Sequence, residues 1–351
     1  MRVKKVIVVQ ILEVLMKEIK LGTIGSGIIV RSILNGVKQT EGIRCVAVYS
    51  RTYEKGKKLA DEYGVSKIYT DMETFFADEE MNFVYIATPN LLHYQQTKKA
   101  LLAGKNVICE KPFCTREEQA AELIALAKEK GLFLVEAAPT TFLPNYEILK
   151  RELPKIGRIR LVMSNFSQYS SRYDNLLNGE LPNVFNPDYA GGCLMDINFY
   201  NVYLNVALFG SPEKAVYYPN FFTNPKIDIS GMMVMQYEDF VSQNAGAKDT
   251  WGVNFFQIEG EKGYIYVTGG SSSLQSIKVV TKNSEEEFNE QPSQDRWLYE
   301  VQNLTKLILA EDFEAIYHRL DITLNAVRVM EKARKDAGIY FPGDILEYRE
   351  K

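Results

Sequence analysis

Residue types that mark specialised sites are scarce in this sequence of 351 residues. It contains only two histidines and four cysteines. The cysteines show no metal-ligand spacing and are too few for a disulfide framework. We therefore expect neither a metal site nor a disulfide-stapled fold, and we expect a reducing compartment, the cytoplasm.

The sequence also lacks a strong charge excess and a long hydrophobic run. Its net charge of −4 gives no electrostatic reason to expect nucleic acid or an anionic membrane as partner. The opening "MRVKKVIVVQILEVLMKE" has a basic start, but Gln10 and Glu13 interrupt its short apolar run, and no small-residue cleavage site follows. The run is too short to span a bilayer. We interpret residues 1–17 as an N-terminal extension, with Met16 as a possible natural start.

Strand-like and helix-like patterns alternate over residues 18–138. Glycine ends the first apolar run, "IKLGTIG", and later runs occupy residues 43–50, 82–88, 105–110 and 131–137. Between them, "TREEQAAELIALAKEKG" places Ala120, Leu123, Ile124 and Ala127 on one stripe and closes at Gly131. The pattern predicts an α/β, Rossmann-type, doubly wound parallel sheet covered on both faces.

The rhythm changes over residues 139–351. β-rich runs such as "RIRLVMSNFSQYSS" and "GMMVMQYEDF" follow one another without long intervening helices, and two helical stretches come later, at residues 295–310 and 322–337. This pattern predicts a second, α+β domain with a mostly antiparallel sheet. One broad face of that sheet is expected to stay open.

A glycine-rich turn follows the first strand. Gly25, Ser26 and Gly27 precede Ile28, the start of a predicted helix. A pyrophosphate binds readily at such a helix N-terminus, so these four residues are predicted to contact a dinucleotide. A plain turn without a ligand is the alternative.

The residues at the end of the second strand indicate which nicotinamide cofactor is preferred. An NAD-type site places an acidic residue there for the ribose hydroxyl, whereas this chain has Ser50 and Arg51. A guanidinium pairs with phosphate, so NADP(H) is favoured over NAD(H). A solvated loop arginine is the alternative.

Two later strands also end in polar residues. After the strand at 82–88, Thr88, Pro89 and Asn90 are predicted on the cofactor side, with Asn90 capping the next helix. His93 falls in that helix's first turn, where a structural or cofactor-edge role is favoured over catalysis.

Glu110 and Lys111 follow the strand at 105–110 and precede a proline. A surface ion pair in a turn is one interpretation of this acid and ammonium. In the other, both residues lie at the mouth of the nucleotide cleft, where the charge of Lys111 polarises a substrate oxygen.

The stretch "GGCLMDINFY" places Asp196 and Tyr200 four residues apart, on one face of a predicted helix. The long, polar segment before it, residues 173–192, is predicted to wall the substrate pocket, with Tyr173 and Asn186 as possible contacts. A structural helix pair is the alternative for Asp196 and Tyr200.

Taken together, "GTIGSGII", "VYSRT", "ATPNLLH", "GKNVICEKP", "GGCLMDINFY" and "EKARKDAGIYFP" resemble the glucose–fructose oxidoreductase / inositol dehydrogenase family, Gfo/Idh/MocA. The resemblance implies a two-domain oxidoreductase that uses a nicotinamide cofactor on a sugar, a polyol or a related hydroxy or keto compound. It also implies a homodimer or homotetramer formed through the C-terminal sheet. Inositol dehydrogenase-like members carry histidine where this chain has Tyr200.

The resemblance favours a catalytic role for the three polar residues. Tyrosine is a poor base by itself, but an adjacent ammonium favours its phenolate form. We therefore expect Tyr200 as general acid/base, Lys111 as its electrostatic partner, and Asp196 as the group that orients the lysine or a substrate hydroxyl. Dihydrodiol or aldose oxidation, and a non-catalytic dinucleotide-binding regulator, are the alternatives.

Overall fold

Two sheets organise the chain. The computed structural model describes residues 18–344, so the predicted N-terminal extension, residues 1–17, lies outside the described residues. A six-stranded sheet in which all pairings are parallel comes first, and an eight-stranded, mostly antiparallel sheet follows. This arrangement confirms the predicted fold class.

The first sheet has the strand order β3-β2-β1-β4-β5-β6, so the chain winds outward from β1 in both directions. Its strands are β1 (Ile19–Ile24), β2 (Ile43–Tyr49), β3 (Lys67–Tyr69), β4 (Phe83–Ile86), β5 (Asn106–Glu110) and β6 (Leu134–Ala137). Its helices are α1 (Ile28–Lys38), α2 (Tyr53–Tyr63), α3 (Met72–Phe76), α4 (His93–Leu102) and α5 (Glu117–Lys130).

Helices cover the first sheet on both sides, which explains its nearly continuous apolar strands. Every residue of β4 and β6 is buried. Helix α5 buries the predicted stripe of Ala120, Leu123, Ile124 and Ala127. It ends where Gly131 adopts a φ of 64°, a conformation that glycine takes without steric penalty.

The second sheet has the order β14-β13-β12-β11-β7-β10-β9-β8, and only the β7–β10 pairing is parallel among its described strands. Strands β8, β10 and β14 have no counterpart among the predicted runs, because β10 and β14 are rich in polar residues and β8 contains Pro219. The strands are β7 (Ile159–Ser167), β8 (Lys214–Thr223), β9 (Lys226–Gln236), β10 (Val241–Ala247), β11 (Phe255–Gly260), β12 (Gly263–Thr268), β13 (Ser276–Thr281) and β14 (Glu285–Phe288).

The two faces of the second sheet differ. On the inner face, Val162 and Phe166 of β7 are buried in cores that include residues of α6 (Pro144–Glu152) and α8 (Phe199–Phe209). The short helix α7 (Tyr173–Leu177) lies between α6 and α8 along the chain. On the outer face, Tyr218 and Met232 are paired across β8 and β9 and are 61% and 40% exposed. The outer face therefore presents apolar side chains to the surroundings.

The last two helices return to the first sheet. Helix α9 (Arg296–Leu309) packs on α1, and α10 (Phe313–Asp336) packs on α5, β6 and α8. Helix α10 begins nine residues before the predicted Ile322, at a cap where the Asp312 carboxylate accepts the N–H of Ala315. Although α10 has 24 residues, neither it nor another helix within residues 18–344 is long and apolar enough to cross a membrane.

Candidate active site

A nucleotide-sized cleft lies at the carboxyl ends of β1, β2 and β4. The strand order reverses between β1 and β4, which is where ligands bind in open parallel sheets. The cleft has a volume of about 460 Å³. Its lining residues are Ile24, Gly25, Ser26, Tyr49, Ser50, Arg51, Thr52, Lys55, Ala87, Thr88, Pro89, Leu92 and Gln96.

The predicted glycine turn borders this cleft. Gly25 has a φ of +118°, and a Cβ on it would lie 2.5 Å from the carbonyl oxygen of Ala87, so a larger residue does not fit. Gly27 caps the N-terminus of α1, and a Cβ on it would meet nothing within 4 Å. The turn therefore leaves free space at a helix N-terminus, which fits a pyrophosphate. Ile28 is 70% exposed and lines a different cavity, together with Asp196 and Lys248.

Two cations border the cleft near the end of β2. Arg51 lines it and has no ion pair within residues 18–344. Lys55, in the first turn of α2, lines the same cleft and was not among the predicted contacts. Ser50 is buried beside them, and its N–H donates to the carbonyl of Tyr69. The chemistry of this donor set fits an anionic group.

The residues after β4 connect the parts of the site. Thr88 donates to Gln96 at 2.6 Å. Asn90 does not cap a helix, contrary to expectation, because it begins a short 3₁₀ turn and its amide donates to the carbonyl of Ala190 at 2.8 Å. His93 is 1% exposed, and its ring nitrogens lie 2.8 and 2.9 Å from the carbonyl oxygens of Thr88 and Pro112.

His93 therefore does not line the cleft. Burial lowers the pKa of its imidazole below the ordinary value. Its two contacts tie the loop after β4 to the loop after β5. The structural role is the one that this geometry supports.

Lys111 follows β5 and points toward the second half of the chain. Its Nζ donates to the main-chain oxygen and to Oδ1 of Asp196, both at 2.8 Å. The same Nζ lies 4.9 Å from the ring centroid of Tyr200. Burial alone would lower the pKa of Lys111, but the Asp196 carboxylate raises it above its ordinary value. The ammonium is therefore charged and in contact with both predicted partners.

Asp196 and Tyr200 lie where a wide helical turn meets α8. Residues Leu194–Asn198 form a π-helical turn, a feature frequent at functional sites, and α8 continues from Phe199. Gly192 has a φ of +112°, and a Cβ on it would overlap a carboxylate oxygen of Asp228. Because Gly192 has no side chain, the Asp228 carboxylate fits beside it and accepts the N–H of Leu194 at 2.7 Å.

Two further cations surround these residues. Lys248, directly after β10, has a side chain only 3% exposed and forms an ion pair with Oδ2 of Asp196. Burial alone would raise the pKa of Asp196, but the ammonium groups of Lys111 and Lys248 hold it well below its usual range. The guanidinium of Arg296 lies 5.0 Å from the ring centroid of Tyr200, and both residues line one cavity.

Sequence reasoning missed Lys248 and Arg296. Both reach the site through long-range folding, since Lys248 follows an unpredicted strand and Arg296 opens α9. The one available signal was position, because a lysine directly after a strand resembles the placement of Lys111 after β5.

Glu110 lies behind Lys111. It is 8% exposed, it lines a cavity together with Lys111, and its carboxylate accepts a hydrogen bond from the Tyr85 hydroxyl. Burial raises the pKa of Glu110 above its usual value. The residue therefore belongs to the cavity wall and not to a surface ion pair, which was the alternative interpretation.

The segment at residues 173–192 walls the site with other residues than predicted. Tyr173 packs edge to face against Tyr169, with ring centroids 5.5 Å apart. The Asn186 side chain accepts the N–H of Asp188 at 2.9 Å and caps a short turn. Neither residue lines one of the cavities around Asp196, whereas Asn183 and Val184 do. The predicted contacts of Tyr173 and Asn186 with substrate are therefore not supported by their positions.

Lys111, Asp196 and Tyr200 line one cavity of about 260 Å³. Ala87 and Thr88 line both this cavity and the nucleotide cleft, so the two spaces adjoin. Within residues 18–344, no group of three or more His, Cys, Asp or Glu side chains is placed to hold a metal ion. The arrangement offers a fixed ammonium and a phenol beside a nucleotide cleft, which suits proton transfer coupled to hydride transfer.

Two parts of the chain match known protein families. Residues 19–137 match the family described as "Oxidoreductase family, NAD-binding Rossmann fold", and residues 153–266 match "GFO/IDH/MocA C-terminal domain". The chain belongs to the Gfo/Idh/MocA family. The predicted family and the predicted class, an NAD(P)-dependent oxidoreductase, are thereby confirmed.

Individual relatives cover nearly the whole chain. The uncharacterized oxidoreductase YgjR of Escherichia coli K12 is 34% identical over 94% of this chain and 99% of its own length. The scyllo-inositol 2-dehydrogenase (NADP(+)) IolU of Bacillus subtilis 168 is 32% identical over 93% of this chain and 99% of its own. A 3-ketoreductase from Actinomadura kijaniata, solved with NADP and TDP-benzene, shares the fold with a TM-score of 0.79, 21% identity and coverage of 91% and 97%.

Proposed function

We propose that this protein transfers hydride between NADP(H) and the hydroxyl-bearing carbon of a sugar, a polyol or a related compound, with Tyr200 as general acid/base. One observation carries the proposal: Lys111, Asp196 and Tyr200 meet in a cavity that adjoins the nucleotide cleft. Neither the phenol nor the ammonium would be needed beside the cleft of a protein that only binds nucleotide.

Each residue has a distinct task in this proposal. The nicotinamide, when bound, supplies or accepts the hydride. The Lys111 ammonium holds the substrate oxygen and stabilises the negative charge that develops on it. The Tyr200 hydroxyl exchanges the proton with that oxygen, and such general acid–base help contributes about 10²–10⁴-fold. Asp196 orients Lys111 through the two bonds described above.

Residues of the first sheet would hold the cofactor. Gly25, Ser26 and Gly27 suit its pyrophosphate, and Arg51 with Lys55 suits a ribose phosphate, which supports NADP(H) over NAD(H). Two relatives that carry NADP(+) in their names, the inositol dehydrogenase above and a D-xylose 1-dehydrogenase of Hypocrea jecorina, support the same preference.

A substrate panel tests the function. Turnover of NADP(H) is measured with inositols, aldoses and trans-diols, since relatives named for inositol, xylose and dihydrodiol oxidation share the family. Inositol or another polyol is expected to be the best substrate, because the inositol dehydrogenase matches over nearly its full length. Tight cofactor binding without turnover on the whole panel would favour the regulatory alternative.

Assembly and location complete the proposal. The apolar outer face of the second sheet, with Tyr218 and Met232 exposed, supports a homodimer or homotetramer formed through that sheet. Light scattering tests this, and a strict monomer would refute it. Four free thiols support a cytoplasmic location.

A further inference from the structure

Lys248 occupies an environment in which an ammonium group is costly. Its side chain is 3% exposed, and its Nζ lies 5.3 Å from the ring centroid of Phe185. Burying a charge is unfavourable unless the charge is paired. It forms an ion pair with Asp196, a residue that lines the proposed catalytic cavity. The position of this lysine therefore calls for an explanation within the site.

One carboxylate is shared by two ammonium groups. Oδ1 of Asp196 accepts from Lys111 at 2.8 Å, and Oδ2 accepts from Lys248. Because two positive charges face one negative charge, the cluster of Lys111, Asp196 and Lys248 carries a net charge of +1. A one-to-one pair of Lys111 and Asp196 would have been neutral. Two of the three Lys111 donors are used by Asp196, which leaves the third for the cavity.

We propose that Lys248 is a positioning residue that holds the Asp196 carboxylate between two ammonium groups, so that Asp196 orients Lys111 without neutralising the charge offered to the substrate oxygen. This inference rests on the function proposed above. It assigns a task to a residue outside the motifs that carry the family resemblance, and it predicts that Lys248 acts only through Asp196.

The main chain near Asp196 is held by a different group. Asp228, on β9, accepts the N–H of Leu194 at 2.7 Å and the hydroxyl of Tyr217 at 2.8 Å. Asn198 adds a bond from its amide to the carbonyl of Asn244 on β10, at 3.1 Å. The second sheet therefore fixes the backbone of the π-helical turn without Lys248. This leaves the orientation and charge of the Asp196 side chain as the role of Lys248.

A double-mutant cycle tests this role. Lys248→Met is expected to lower kcat on the order of 10- to 100-fold while leaving the Kd for NADPH within about twofold. Lys248→Arg keeps the charge and is expected to recover most of the lost kcat. Because Lys248 acts through Asp196, the Asp196→Asn/Lys248→Met protein should match Asp196→Asn within about twofold. Lys105→Met is the matched control, since Lys105 is also a buried lysine, bonded to the carbonyls of Asp78 and Met81.

Each outcome decides the inference. Losses that multiply in the double variant, or a Lys248→Met protein with wild-type kcat, would overturn it. If Lys248→Met does not fold, Lys248→Gln replaces it, because glutamine keeps a donor to Asp196 but removes the charge, and its kcat should still fall. An active wild-type enzyme with an unaffected Lys248 variant refutes only this inference, whereas a wild-type protein inactive on the whole panel refutes the proposed function.

Discussion

The nucleotide cleft and the cavity lined by Lys111, Asp196 and Tyr200 adjoin, yet they are built in different ways. The cleft is made of segments that all lie within residues 24–96, among them a glycine turn and the ends of three parallel strands. The cavity is made of side chains that are far apart in sequence, as Lys111, Asp196 and Arg296 show. Changes in the cleft should therefore act on cofactor affinity, and changes in the cavity on turnover.

The largest expected effect is a loss of turnover from a change in the cavity. Lys111→Met removes the ammonium that contacts Asp196 and lies above Tyr200, so kcat is expected to fall about 10²–10⁴-fold. Steady-state kinetics with the best substrate of the panel measures this loss. Lys98→Met, which breaks a surface ion pair with Glu122, is the control and should keep normal turnover.

A change at the glycine turn should act on affinity instead. Gly27→Asp places a carboxylate at the helix N-terminus, in space that is open in the structure, where it would repel a pyrophosphate. The Kd for NADPH is expected to rise on the order of 10- to 100-fold, as measured by a fluorescence titration. Gly104→Asp introduces the same charge at another open glycine and should leave the Kd unchanged. Gly104 has a φ of +75°, a conformation that aspartate adopts more readily than most residues, so the variant is expected to fold with a small loss of stability.

A buried carboxyl in the first sheet is expected to make the folding stability depend on pH. Glu136, 3% exposed at the end of β6, accepts the N–H of Phe113 and the hydroxyl of Thr323. Burial raises the pKa of this carboxyl to about 7. The folded state therefore keeps a proton that the unfolded state has released, so stability falls as the pH rises from about 5 to 7 and levels off above that range.

Glu136→Gln removes this titration. Between about pH 5 and pH 7, Glu136 is expected to lower the unfolding free energy of the wild-type protein by about 2 kcal/mol, and the variant should not show this decrease. Urea denaturation at several pH values measures the effect. Parallel pH dependence in the two proteins would show that the carboxyl titrates normally.

The smallest expected effect sharpens the cofactor preference. Arg51→Ala should weaken NADPH binding about tenfold and leave NADH binding unchanged, because only NADPH carries a 2′-phosphate on its adenine ribose. Parallel titrations with both cofactors measure this difference. An equal loss for both would assign Arg51 to general electrostatics, and no loss for either would leave it a solvated loop residue. Lys55→Ala tests whether the second cation shares the task.

Local signals made the first sheet and its cleft predictable. Apolar runs, glycine turns and helix stripes depend on nearby residues, and Gly25, Gly27 and the α5 stripe lie where the pattern placed them. The face shared by Asp196 and Tyr200 was predictable for the same reason, although the turn that carries Asp196 is π-helical.

Long-range features were not predictable in this way. Polar β10 pairs in the middle of the second sheet, and it delivers Lys248 to a carboxylate 52 residues earlier. Asn186 was a possible substrate contact because its segment leads into the helix of Asp196 and Tyr200, yet its side chain caps a local turn. Such choices depend on tertiary contacts that spacing along the chain does not encode.

The most direct test of the central claim is an NADPH titration of Tyr200→Phe combined with its kcat. The claim predicts a normal Kd for NADPH with kcat lowered about 10²–10⁴-fold, while Tyr203→Phe, one turn along the same helix, keeps normal turnover. A Tyr200→Phe protein with wild-type kcat would contradict the assignment of Tyr200 as the proton-transfer group.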